Sequence, residues 1–263
     1  MKLVYDQHIH SRFSFDSKEE ILSYLSLSEE NPIVTTEHLE FHNPSDNYRN
    51  NLIDYDAYRS HVKTLSDSFG RKILCGVEIG YYAPATDEIS SYLDKKDFDL
   101  KLLSVHHNDD FDFTQKKVAL LPTETLIRDY YTLMIEALES PIEANVLAHF
   151  DYGVRLVDIA PSLFKENASI YLDKILDLII SKEMALELNT KSMFVCGKAP
   201  LYDFMVSMYL EKGGRLFTLG SDAHRYNSYS YKFEEVQNFL LQKGVREVAC
   251  FEKGKLYLQP IAT

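Results

Sequence analysis

The sequence predicts an α/β fold closed into a barrel, and three observations carry that reading. Short runs rich in Val, Ile, Leu and Phe alternate seven times with longer amphipathic stretches, at roughly 28 to 43 residues per unit, as strand–helix units do. No G-x-G-x-x-G and no G-x-x-x-x-G-K-[ST] follows any of these runs, so an open sheet that binds a nucleotide lacks its signature. Six of the seven runs end in a histidine or a carboxylate, where a parallel barrel gathers its active site.

The strands are expected near 2–8 (KLVYDQH), 32–36 (PIVTT), 72–79 (KILCGVEI), 99–105 (DLKLLSV), 145–149 (NVLAH), 183–188 (EMALEL) and 214–220 (GRLFTLG). Between and after them, helical periodicity appears near 17–29, 54–69, 86–96, 123–139, 162–181, 199–212 and 232–243. Thr123 is read as an N-cap. Ser17, followed by Lys18, Glu19 and Glu20, is read as a cap that sets carboxylates at the positive end of its helix. Residues 246–260 read as a short strand pair against a barrel end. No linker, low-complexity segment or repeat interrupts the chain, so 1–263 is expected to be one domain.

The chain has 28 Lys+Arg against 40 Asp+Glu, a net charge of -12 that argues against a nucleic-acid partner. The same charge seems unsuited to a phosphorylated substrate. With 45% hydrophobic residues it can bury a core. No export signal and no apolar run of membrane-spanning length is seen. The cysteines Cys75, Cys196 and Cys250 have no C-x-x-C spacing, which predicts free thiols and a cytoplasmic protein.

The first strand ends in His8 and His10, and the second in Glu37 and His38. The third ends in Glu78, the fourth in His106 and His107, and the fifth in His149 with Asp151 beyond. The sixth ends in Asn189, and the seventh in Asp222 and His224. His8 with His10, and Asp222 with His224, stand two residues apart and so point the same way. Imidazole and carboxylate suit Zn, Mn or Fe. With Asp16 there are nine candidate ligands: His8, His10, Asp16, His38, Glu78, His106, His149, Asp222 and His224. That is too many for one tetrahedral ion and fits roughly two to three divalent ions with a bridging carboxylate. His, Asp and Glu make up 49 residues of 263, so one at a strand end is commonplace, whereas six of seven ends is a pattern. His42 and His61 fall off the pattern and read as solvated. His107 should face away from His106, and Glu37 is the weaker neighbour of His38.

These residues, taken in order, resemble the polymerase and histidinol phosphatase (PHP) family. The resemblance rests on H-x-H at the start, an acid in the next loop, T-x-x-H, a lone Glu, S-V-H, a further His and G-S-D-A-H. The E-L-N-T segment at 187–190 is similar to the monofunctional histidinol-phosphate phosphatases. The resemblance implies a distorted TIM-like (β/α)7 barrel with a trinuclear centre. One ion would take His8, His10, Glu78 and Asp222. A second would share Glu78 with His106 and His149, and a third would take Asp16, His38 and His224. It implies phosphomonoester hydrolysis of L-histidinol phosphate by a metal-bridging hydroxide, with Asp16, Glu78 and His224 as catalytic residues and the proton donor left open between Asp16 and His224. The chain departs from the family at Thr36-Glu37-His38, where T-D-H is common, and at Lys191-Ser192-Met193-Phe194, where a Gly-containing turn followed by Arg is typical. Arg155, Arg225, Asn189 and Lys191 stand at the expected rim as candidate substrate-binding residues.

The expected partner is a small phosphorylated metabolite, with neither nucleic acid nor membrane, and the chain a monomer or small homo-oligomer. Alternatives are another small phosphate ester or a nucleotide, an amidohydrolase-type enzyme, or a non-catalytic binding domain. An amidohydrolase would need a carboxylated lysine near a strand end, yet Lys101 lies inside the fourth strand.

Overall fold

A computed structural model describes residues 3–28 and 31–261. Six of the seven apolar runs become parallel neighbours. β1 (Ile33–Asn43) carries a short antiparallel partner, β2 (Arg49–Asn51), at the outer edge. From β1 the sheet continues in order through β3 (Ile73–Gly80), β4 (Leu100–Ser104), β5 (Val146–Leu147), β6 (Ala185–Asn189) and β7 (Phe217–Gly220), all parallel. Every residue of β3 is buried, as expected of a strand covered on both faces.

The first expected strand is different. Residue 2 lies outside the described residues, and 3–8 form no ladder. Residues 7–10 instead run in the gap between β7 and β1. The Gln7 N–H donates to Leu219 O (3.0 Å), Asp222 N–H to His8 O (2.7 Å), His10 N–H to Ala223 O (2.8 Å) and Thr36 N–H to Ile9 O (2.8 Å). The buried Asp6 carboxylate draws bonds out of the ladder by accepting the N–H groups of His8 (3.2 Å), Ser221 (2.9 Å) and Ser230 (2.8 Å). The segment therefore closes the barrel as an irregular seventh stave, which is the distortion the resemblance implied.

Helices α2 (Tyr55–Phe69), α3 (Thr86–Leu93), α4 (Thr123–Glu139), α5 (Pro161–Ser181), α6 (Ala199–Glu211) and α7 (Phe233–Gln242) follow the expected periodicity. The Asp54 side chain caps α2 by accepting the Ala57 N–H (3.1 Å), and Gly70 ends it at φ 60°. In α5, Phe164, Ala168, Leu172, Ile175, Leu176 and Ile179 form one buried stripe.

Two caps are corrected. Thr123 is the first helical residue of α4, after Pro122, and makes no cap. The helix expected over 17–29 is only α1 (Ile21–Leu25), and residue 29 lies outside the described residues. The Ser17 hydroxyl donates to His224 O (3.2 Å), holding its loop to the segment that follows the neighbouring strand β7. Glu19 accepts the Tyr226 N–H (2.9 Å) ahead of the helix instead of sitting in its first turn.

The C-terminal strand pair, β8 (Glu247–Glu252) and β9 (Lys255–Pro260), forms an antiparallel ribbon at the end of the barrel where the strands begin. There the Gln7 amide donates to Ala249 O (2.7 Å) and the Gly254 N–H to Asp99 O (3.0 Å). All three cysteines are free. No described helix is long and apolar enough to cross a membrane.

The stripe on α5 gives a stability test. Leu172 is fully buried, so Leu172→Ala should lower the unfolding free energy by about 2–5 kcal/mol. Ile170, two residues away and 76% exposed, should change it by no more than about 0.5 kcal/mol as Ile170→Ala. Urea unfolding of the two variants checks the contrast.

Candidate metal centre

The parallel register sets His38 on β1 beside Glu78 on β3, and Glu78 becomes the meeting point of the site. Its Oε2 lies 3.1 Å from His38 Nδ1, 3.2 Å from His8 Nε2 and 3.5 Å from His10 Nε2. Its Oε1 lies 2.7 Å from His149 Nε2 and 3.1 Å from His106 Nε2, and it accepts the Ser104 hydroxyl at 2.6 Å. Asp222 Oδ1 is 3.6 Å from His10 Nε2 and 3.4 Å from His224 Nδ1. Asp16 Oδ2 is 3.0 Å from His224 Nε2 and 3.5 Å from His38 Nε2. The structure thus brings all nine expected ligands into one cluster where the strands end.

Four imidazoles are oriented by a partner on Nδ1, which leaves Nε2 facing the cluster. His8 Nδ1 donates to Glu187 (2.6 Å), His106 Nδ1 to Glu40 (2.6 Å), His10 Nδ1 to the Ser14 hydroxyl (3.1 Å) and His224 Nδ1 to Asp222 O (3.1 Å). Glu187 also accepts the His149 N–H (2.7 Å). Sequence reasoning missed Glu40 and Glu187 as site residues. The period of two was the available signal, since Glu40 follows His38 by two and Glu187 precedes Asn189 by two. Two glycines make room for these carboxylates: a Cβ at Gly80 would overlap Glu40, and one at Gly220 would overlap Glu187 and His8. Glu37, the weaker neighbour of His38, accepts the Ser11 and Ser14 hydroxyls (both 2.6 Å) and so shapes the turn leading to Asp16.

The donor set fits divalent transition metals. His8 Nε2, His10 Nε2 and Glu78 Oε2 are buried without a hydrogen-bond partner and converge on one another. Burial disfavours a charged His8, yet Glu187 and Glu78 override it and hold its pKa well above the usual value. At His106, Glu40 and Glu78 likewise outweigh burial and push it up to about 10. His10 goes the other way, held well below its ordinary value by burial and by the neighbouring imidazoles of His224 and His38. Glu78 and Asp222 stay far below the carboxylate range despite burial, Glu78 because of His8 and His106, Asp222 because of Lys191 and His8. Such carboxylates bind protons weakly, and a cation shared among them and the imidazoles replaces the protons the imidazoles would otherwise take up. Asp222 reaches the cluster in a left-handed conformation (φ 53°), pinned by its N–H bond to His8 O.

A cavity of about 290 Å3 lies over the cluster, lined also by Thr114, Tyr152, Arg155 and Lys191. Arg155 is buried. Its Nη2 donates to the Ser192 hydroxyl (2.6 Å), its guanidinium lies over the Tyr152 ring (4.6 Å), and its Nε has no partner. The Lys191 ammonium lies 3.1 Å from Asp222 Oδ2. Asn189 does not line the cavity. It is fully buried, its amide donating to Glu187 (3.3 Å) and its oxygen accepting the Ser192 N–H (3.0 Å). Arg225 is exposed and lines an adjoining cleft instead. His107 turns away from the cluster, donating to Phe41 O (3.1 Å). His42 and His61, both expected to be solvated, are both half-buried, His42 paired with Asp109 (3.2 Å) and His61 beside Phe13. Lys101 lines a separate cavity with Asn145 and Gly254, beside the C-terminal ribbon and not in the cluster around Glu78.

Residues 6–191 match the PHP domain model. A protein named "Probable histidinol-phosphatase" from Thermotoga maritima is 32% identical over 238 residues, covering 89% of this chain and 90% of that protein. Another of that name from Clostridium acetobutylicum is 30% identical over 240 residues, covering 88% and 91%. The fold is similar to a crystal structure of histidinol phosphate phosphatase from Lactococcus lactis, complexed with zinc, L-histidinol and phosphate. The TM-score is 0.86 at 26% identity, over 97% of this chain and 98% of that one. The ligand order along the sequence, the buried cluster those residues form and the matched span agree: the chain belongs to the PHP domain family.

Proposed function

We propose that this chain is a metal-dependent phosphomonoesterase that hydrolyses L-histidinol phosphate. The observation that carries the reading is the cluster of nine ligand-type side chains around Glu78, roofed by a cavity with a buried, incompletely bonded arginine. The likeness to a protein crystallised with zinc, L-histidinol and phosphate supports the substrate.

His8, His10, Glu78 and Asp222 would hold one ion, Glu78 with His106 and His149 a second, and Asp16 with His38 and His224 a third, each Zn, Mn or Fe. When bound, such ions make water a competent nucleophile at neutral pH and draw charge from phosphoryl oxygens. Arg155 presents a guanidinium already held by Ser192 and Tyr152, so it binds the phosphoryl group without first ordering itself. Lys191 adds a second cation from the other side of Asp222. Asn189 serves from below, fixing Glu187 and the turn that carries Ser192. Asp16 and His224, only partly buried at the mouth, are the two groups able to hold the proton for the departing alcohol. The three free thiols suit a reducing, cytoplasmic setting.

Purified protein should contain roughly two to three transition-metal ions per chain, and Glu78→Gln should lose about two of them with nearly all turnover. Elemental analysis with a phosphate-release assay reads both, and full activity in Glu78→Gln would refute the bridging role. Glu187→Ala should weaken metal affinity about 10–100-fold, with partial recovery in Glu187→Gln, as followed by competition with a chelating dye. Across a panel of phosphomonoesters, histidinol phosphate should give the highest kcat/KM among those with a cationic or neutral alcohol. A simple alkyl phosphate matching it would remove the substrate assignment.

A further inference from the structure

Beside the metal cavity lies a second cleft of about 370 Å3, and Lys191, Asp222 and His224 line both. The cleft's own walls include Val195, Arg225, Ser228 and Tyr231. Lys191–Val195 form a π-helical turn directly after β6, which sets Lys191 between the two spaces and leaves Val195 68% exposed at the cleft. Across from it are Tyr231, 40% exposed, and Arg225.

The charge of this cleft is one-sided. Among the described residues, the Arg225 guanidinium has no ion pair or side-chain hydrogen bond; it helps lower the Glu19 carboxyl, which itself accepts the Tyr226 N–H (2.9 Å). The only carboxylate in the lining is Asp222, which faces Lys191 and the metal cluster. Among the described residues, an ammonium group in this cleft would meet no carboxylate that is free of a cationic neighbour. The other wall of the metal cavity differs, because Asp112 stands behind Thr114 and Tyr152 and accepts the Tyr152 hydroxyl (3.3 Å).

We propose that the Lys191–Arg225 cleft is an anion subsite. It admits phosphomonoesters whose alcohol ends in a carboxylate or a second phosphate, with the short carbon chain lying between Val195 and Tyr231. It thereby gives the centre an activity on such esters in addition to histidinol phosphate. The inference rests on the phosphatase reading for where the phosphoryl group sits. The reaction is ordinary hydrolysis: the P–O bond to the alcohol breaks, water oxygen bonds to phosphorus, and one proton passes to the anionic alcohol.

Three phosphonates of equal length test the subsite without turnover, because their C–P bond is not hydrolysed. They are 3-phosphonopropionate, propylphosphonate and 3-aminopropylphosphonate, titrated by calorimetry into zinc-loaded full-length protein. The carboxylate should bind at least about 5-fold tighter than the neutral compound, and the amine no tighter than the neutral one. Arg225→Ala should bring the first ratio to within about 2-fold of unity, and Arg225→Glu should place the amine above the carboxylate. Arg225 is exposed, so neither change threatens folding. Equal affinities for the three tails, an order unmoved by both variants, or no binding by any of them would each overturn the subsite, even in a protein that hydrolyses histidinol phosphate. Charge-ordered binding by a protein that hydrolyses no ester would uphold the subsite and remove the phosphatase reading instead.

Discussion

Five imidazoles crowd the two oxygens of Glu78, a carboxylate that is 1% exposed. Burying one charge in that way costs several kcal/mol unless it is matched. The surrounding structure is arranged to match it. Glu40 and Glu187 form an outer ring of acid that fixes the imidazoles from behind. Gly80 and Gly220 give that ring its space, and Ser104 satisfies a remaining lone pair. What is left over is a set of inward-facing nitrogens and oxygens without hydrogen-bond partners, which is a description of a place for cations.

The net charge of -12 takes on a different meaning in this light. The site uses only a handful of the 40 acids, and bound divalent ions would reverse the local sign where a phosphate lands. Arg155, Lys191 and Arg225 lie on that same side of the molecule. The chain-wide charge therefore does not speak against an anionic substrate at the mouth of the barrel, where bound divalent ions would add positive charge.

The parallel architecture and the nine clustered candidate ligands were legible in the sequence because both follow from short-range rules: strand period, strand ends and residue type. Legibility failed where long-range bonds override local pattern. Residues 3–8 have the composition of a strand, yet Asp6 diverts their neighbours' N–H groups and the ladder never forms. Ser17 looks like a helix cap, yet its hydroxyl reaches His224, more than two hundred residues away. Glu40 and Glu187 were within reach of the period-two rule. Neither stands at the end of a run: Glu187 lies within the sixth, and Glu40 lies on a stretch where β1 continues well past the expected end at residue 36. The conformation of Asp222 and the emptied hydrogen-bonding capacity of Asn189 are products of packing that no local pattern announces.

The irregular stave that closes the barrel also orders events in the life of the chain. His8 and His10 lie far from Asp222 and His224 in the sequence, yet the strand beside them ends at Gly220 and the four side chains share one cluster. Contacts of such long sequence separation form late in folding, so the candidate cluster is complete only when the barrel has closed. Metal ions held by these residues would therefore be fully enclosed only once the barrel itself has closed.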